Sequence, residues 1–279
     1  MCSCAPWRNK LNRTVHIAWH TVQDQLQRKS FYVLLATAVL LVFSLRGCYD
    51  ASYMVNNQPI ESASVAWHAS LFAFHLIAFA MLIVAVLISM SVFPKDHRDG
   101  TTVLYLCRPV SRREYVLGRI SGLWLLISVF MLVLHGAVFL IAWQKGGALI
   151  PGYLAASLIC CFNLFFVLVL TALLSLFMPG FFTALASMAI IFFGFVSDGG
   201  ARLLNSPMVQ TVFSNAVPPE PAWWRLLYPK LAMVQHYAVT IISRDSFQAI
   251  GPVHTLVNVL IFCAGITALL LVVFDRREI

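Results

Sequence analysis

The sequence predicts an all-α integral membrane protein: six transmembrane helices, an interfacial helix before the first and short external helices before the last. Three observations carry this. Only 11% of the 279 residues are charged and 60% are hydrophobic, where a soluble domain carries about 25% charged residues. The apolar residues fall in separate runs, most of them long enough to cross a hydrocarbon layer of about 30 Å. The basic residues gather at the ends of those runs, as orientation signals do. The net charge of +8 is therefore no sign of a nucleic-acid partner.

Residues 1–30 read as a tail and an amphipathic helix. Val15, Trp19, Val22 and Leu26 recur at three and four residues, with Arg13, Gln23, Asp24 and Arg28 on other faces. The stretch is too polar to span and lies in the interface plane; an ordinary cytosolic helix is the competing reading. Residues 31–279 form the membrane domain, with spans at about 31–48, 71–93, 120–143, 152–178, 181–197 and 253–274. Arg28-Lys29 anchors the first, which is near the lower limit of length. Pro94 ends the second. A short Gly-containing turn, Gln144–Pro151, joins the third to the fourth. Pro179-Gly180 folds the fourth and fifth into a hairpin, and the fifth is short enough to need tilt or extension through Ser197. Before the sixth, Trp223, Trp224, Tyr228 and Tyr237 mix with Arg225, Lys230 and Arg244. Trp and Tyr favour the headgroup level, so Trp223–Ile242 reads as helices on the outer face or dipping into it.

Thirteen of the 19 Lys and Arg residues fall in the N-terminal tail, the 94–119 connector and the C-terminal tail; six fall in the other loops. That asymmetry puts both termini of a multi-pass membrane protein in the cytoplasm and requires an even number of spans. The seven Cys residues are scattered and lack a CxxC pair, which argues against a disulfide framework.

The connector, PKDHRDGTTVLYLCRPVSRREYVLGR, is the most charged segment. Each Arg, Lys or Asp at a bilayer centre costs about 2.5–3.5 kcal/mol, so it must stand in water. Gly100 permits a turn, Thr101 or Thr102 can cap a helix, and Pro109 stops one. Arg112, Arg113 and Glu114 can pair across an interface. Either the segment is a solvated loop that fixes topology, or it is a rigid lever through which a separate motor acts.

No GxxxxGK[ST], HExxH or GxSxG motif occurs, and no catalytic residue, cofactor or metal site is expected in the chain. His16 and His20 make only half a metal site. His75, His135 and Asn163 sit in apolar runs, either bonding neighbouring helices or lining a path for a transported molecule. Gly118-x-x-x-Gly122 would allow close helix approach.

Asp96-His97-Arg98-Asp99-Gly100-Thr101, Leu104, Leu106, Arg108-Pro109-Val110-Ser111-Arg112-Arg113-Glu114 and Leu117-Gly118-Arg119 together resemble the permease signature of the ABC-2 type transporter family. Asp stands where that signature commonly has Glu, Arg119 replaces Lys, and Tyr105 and Cys107 interrupt the Leu-rich turn. The resemblance implies a permease subunit of an ATP-driven exporter in the plasma membrane, a bacterial inner membrane. It implies two cytosolic ABC ATPase subunits, which bind the ATP and Mg, and a second copy of this permease or a related one. It makes the helix with Val15, Trp19, Val22 and Leu26 an elbow. It makes Asp96, Arg98, Asp99, Gly100, Thr101, Arg108, Pro109, Arg112, Arg113 and Glu114 the ATPase-coupling residues. A non-transporting membrane scaffold, or a lipid-modifying membrane enzyme, is the alternative.

Overall fold

A computed structural model describes residues 10–50, 54–55, 58–59, 62–98, 100, 110–146, 150, 152–204, 227–247 and 253–276. These residues form helices α1 (Lys10–Leu26), α2 (Lys29–Asp50), α3 (Ser62–Ser89), α4 (Val92–Arg98), α5 (Arg112–Gly146), α6 (Tyr153–Ser175), α7 (Gly180–Leu204), α8 (Leu231–Ser243) and α9 (Thr255–Arg276). The two-residue strands β1 (Met54–Val55) and β2 (Gln58–Pro59) pair antiparallel between α2 and α3, a minor addition to a helical fold. Five segments are long and apolar enough to cross a membrane: Ser64–Asp96, Arg112–Gln144, Tyr153–Ser175, Gly180–Arg202 and Thr255–Arg276. The α1–α2 pair, bent by 72°, passes the same test together and brings the number to six.

α6 is the centre of the bundle: 72% of its apolar stretch is buried, against 28% for α7 and 22% for α9. The exposed faces of α7 carry Phe181, Phe182, Phe192 and Phe193, as aromatic side chains facing lipid would. A large core joins α3, α5, α6, α8 and α9. A second core gathers Ile17, Phe93, Tyr115, Val116, Leu173 and Phe274 from five different helices at the end of the bundle that carries α4.

Several helices depart from their expected bounds. α3 starts at Ser62 rather than 71 and stops at Ser89, and Pro94 lies inside α4 rather than at the end of the span. α5 and α7 are extended for polar reasons. α5 begins at Arg112 rather than 120. The Ser111 amide donates to the Glu114 carboxylate at 2.9 Å, and the Glu114 amide donates to Ser111 Oγ at 3.2 Å. This reciprocal cap satisfies two donors that the helix end would otherwise orphan. α7 runs past Ser197 because Asp198 is buried and both its oxygens accept hydrogen bonds from the α8 region.

α8 runs antiparallel to α6. Asn163 Nδ2 donates to the Leu231 carbonyl at 2.9 Å, and Ile241 crosses Gly152. A Cβ at Gly152 would lie 2.9 Å from the Ile241 carbonyl oxygen, and its φ of +92° is a left-handed value; both features call for glycine. Eleven residues separate Gly152 from Asn163, so α8 starts about 16 Å along α6 from that crossing. The helix therefore dips into the bundle, one of the two arrangements its sequence allows. Residues 223–226 of the expected external helices lie outside the described residues, as do residues 205–222 before them.

Candidate functional site

The short helix α4 continues the axis of α3 after a break at Met90–Ser91 and carries Asp96 inward. Asp96 meets Arg119, about one and a half turns past the Ser111–Glu114 cap of α5. Arg119 Nη2 donates to Asp96 Oδ1 at 2.7 Å, and both side chains are 4% exposed, so water screens neither charge. The Tyr115 hydroxyl donates to Asp96 Oδ2 at 2.6 Å. Arg119 Nη1 reaches Thr21 Oγ1 of α1 at 3.4 Å and Asp24 at 3.7 Å, and Asp24 also pairs with Arg28 at 2.9 Å. One guanidinium thus joins three helices: the elbow, the end of the second span and the start of the third.

Close helix approach makes that possible. α1 lies across Gly118 and Gly122 of α5, with Ile17 and Thr21 fully buried there. On the opposite face, Val15, Trp19 and Leu26 are exposed, while Val22 turns inward. The apolar stripe expected of the elbow is therefore split: three residues for lipid and one for the core.

The other end of the joint is looser. Arg113 Nε donates to Asp275 Oδ2 at 2.8 Å and Arg112 to the Asp275 backbone carbonyl at 3.2 Å, tying α5 to the end of α9. Arg113 is 67% exposed, and an exposed pair contributes about 0–1 kcal/mol. The buried pair sets the geometry and the exposed pair trims it. Arg98 is exposed and Gly100 has a left-handed φ of +69°. Asp99, Thr101, Arg108 and Pro109 lie outside the described residues.

The three polar residues within spans part ways. His135 is fully buried: Nδ1 is 2.8 Å from Ser157 Oγ, Nε2 is 3.4 Å from the Phe74 carbonyl, and the ring stacks on Phe74 at 4.7 Å. A carbonyl can only accept, so Nε2 carries the proton and Nδ1 accepts from Ser157. Asn163 is buried against the α8 start. Both bond neighbouring helices. His75 is exposed on α3. Among the described residues, no group of three His, Cys, Asp or Glu side chains is placed to hold a metal.

Several contributors escaped the sequence reading. Ser111-x-x-Glu114 is a legible capping signature. Asp198 follows an apolar run, where an acid signals a specific partner: its Oδ2 accepts the Met233 amide at 3.3 Å and its Oδ1 the Tyr228 hydroxyl at 2.9 Å. Asp198→Ala strips both donors of their acceptor, and thermal unfolding in detergent should register a loss of about 1–3 kcal/mol.

A family model described as ABC-2 family transporter protein matches residues 15–279. No curated protein matches the chain.

Proposed function

The chain belongs to the ABC-2 family of transporter membrane proteins, and from that premise we propose that it is the permease subunit of an ATP-driven exporter, coupled to separate cytosolic ATPase subunits through the 94–119 connector. The observation that carries this reading is the buried Asp96–Arg119 pair, which ties the connector to α1 and α5. A motor shifts a membrane equilibrium only through contacts that differ between its two states. A floppy loop would absorb that displacement; a segment locked by a desolvated ion pair passes it on to three helices together. Arg98, Arg112, Arg113 and Glu114, with Asp99, Gly100, Thr101, Arg108 and Pro109, form the docking segment, and Asp96 anchors it from behind. ATP and Mg belong to the partner. Both termini lie in the cytosol, and a second permease copy or a related permease completes the translocation path. His75 is the exposed polar side chain available to cargo on that path, while His135 and Asn163 hold helices together.

The test is co-purification with a protein carrying the phosphate-loop signature, followed by Asp99→Ala, Arg112→Ala and Arg113→Ala together. Because the Arg113 pair is exposed, the folded chain and the complex should persist while coupled ATP hydrolysis is lost. Undiminished coupled hydrolysis would refute the assignment. Turnover of a lipid by the chain without nucleotide would favour a membrane enzyme instead.

A further inference from the structure

We propose that the end of the bundle opposite the Asp96–Arg119 joint carries a site for the acidic headgroup of an amphiphile, formed by Arg202 of α7, Gln235 and His236 of α8, and His75 of α3. The site stands on placement. Phe79 of α3 meets Phe195 of α7 edge-to-face at 5.4 Å, which fixes these two helices side by side. His75 is one turn from Phe79 toward that end, and Asp198 and Arg202 are about one and two turns from Phe195 in the same direction. α8 enters between them, pinned to α7 by the Asp198–Met233 bond. Arg202 lies close enough to His75 and His236 for its charge to be felt at both, with Asp198 beside it.

The result is a basic island in an apolar wall. His75 and Arg202 are exposed, His236 is half-buried, and Gln235 is buried beneath them. Phe72, Phe193 and Val196 are exposed on the flanking turns. The nearby acid, Asp198, accepts from Tyr228 and Met233, and its charge also acts on Arg202; among the described residues, Tyr228 and the buried Lys230 precede α8, Tyr237 lies on it, and His68 lies two turns before His75 on α3. Arg202 closes the apolar stretch of α7, at the level where a cation can meet an anionic headgroup. An anionic group accepting from the guanidinium and two imidazoles, with its chain along the phenylalanines, satisfies the polar and apolar parts together. Two sources share that chemistry: a bilayer phospholipid and a transported amphiphile. Only the second rests on the permease reading.

The experiment places the full chain in phosphatidylcholine nanodiscs and titrates dodecyl phosphate, inorganic phosphate and dodecyl maltoside, following binding by thermophoresis at acid and alkaline pH. Dodecyl phosphate should bind, more tightly at acid pH because protonated His75 and His236 add charge and donors. Arg202→Gln should weaken it about tenfold or more. Should that variant fail to fold, His75→Gln/His236→Gln should abolish the pH dependence. In nanodiscs that include phosphatidylglycerol, loss of dodecyl phosphate binding identifies a bilayer lipid as the ligand; retained binding identifies a transported amphiphile. Equal binding of inorganic phosphate, equal binding of dodecyl maltoside, or indifference to Arg202→Gln each overturns the proposal. No ATPase takes part, so these results are independent of whether the chain couples to one.

Discussion

Asp96→Leu should destabilise the chain by about 3–5 kcal/mol, the cost of leaving one member of a buried ion pair without its partner. The Arg119 guanidinium is 4% exposed, so solvent cannot replace the lost carboxylate. Asp24 at 3.7 Å offers a longer contact and is itself shared with Arg28, which offsets only part of the loss. Tyr115 forfeits its acceptor as well. The double variant Asp96→Leu/Arg119→Met should be markedly more stable than Asp96→Leu, because replacing both charges by apolar groups removes the desolvation penalty along with the attraction. Thermal unfolding of the four proteins closes the cycle, and additive losses would show that the two side chains do not depend on one another. If the joint transmits motion, the double variant folds and binds its ATPase yet couples poorly, which separates a mechanical role from a merely structural one.

The sequence carried the fold because spans are written in composition: apolar runs between basic ends left little freedom to Ser62–Ser89 or Thr255–Arg276. What it concealed was pairing across distance. Asp96 and Arg119 are 23 residues apart, and Asp24 precedes Arg119 by 95, so no local period relates them. In sequence they looked like solvated connector charges; in the structure they turn inward and leave Arg98 and Arg113 outside. His135 gave no clue to its partner, since an apolar neighbourhood fits a packing histidine and a path-lining one equally. The start of α5 could have been read from Ser111 and Glu114, had the capping pattern been weighed against the expectation that charged residues belong to a loop. The face of Gly118 and Gly122 was visible as a spacing, but not the identity of the helix that rests on it.

Gly122→Leu should dislodge α1 from the bundle. A Cβ at this position would lie 2.5 Å from the Ala18 carbonyl oxygen, 2.9 Å from Thr21 Cβ and 3.0 Å from Ala18 Cα. Two of these atoms are backbone, so no rotamer change relieves them and the elbow helix must translate. Overpacking of a tight contact costs about 1–3 kcal/mol, and here the translation also pulls Thr21 away from Arg119 and Ile17 out of the second core. Gly122→Ala should show the same effect in smaller measure, and trimming Ala18 to Gly should not rescue either variant, because the offending oxygen remains. Gly136→Ala supplies the control on the same helix: nothing lies within 4 Å of its Cβ, so it should be neutral or should stabilise α5 by up to about 1 kcal/mol through helix propensity. Thermal unfolding and limited proteolysis at α1 read both outcomes. Equal tolerance at positions 122 and 136 would mean that α1 does not rest on this face, and the route from the connector to the elbow would have to run elsewhere.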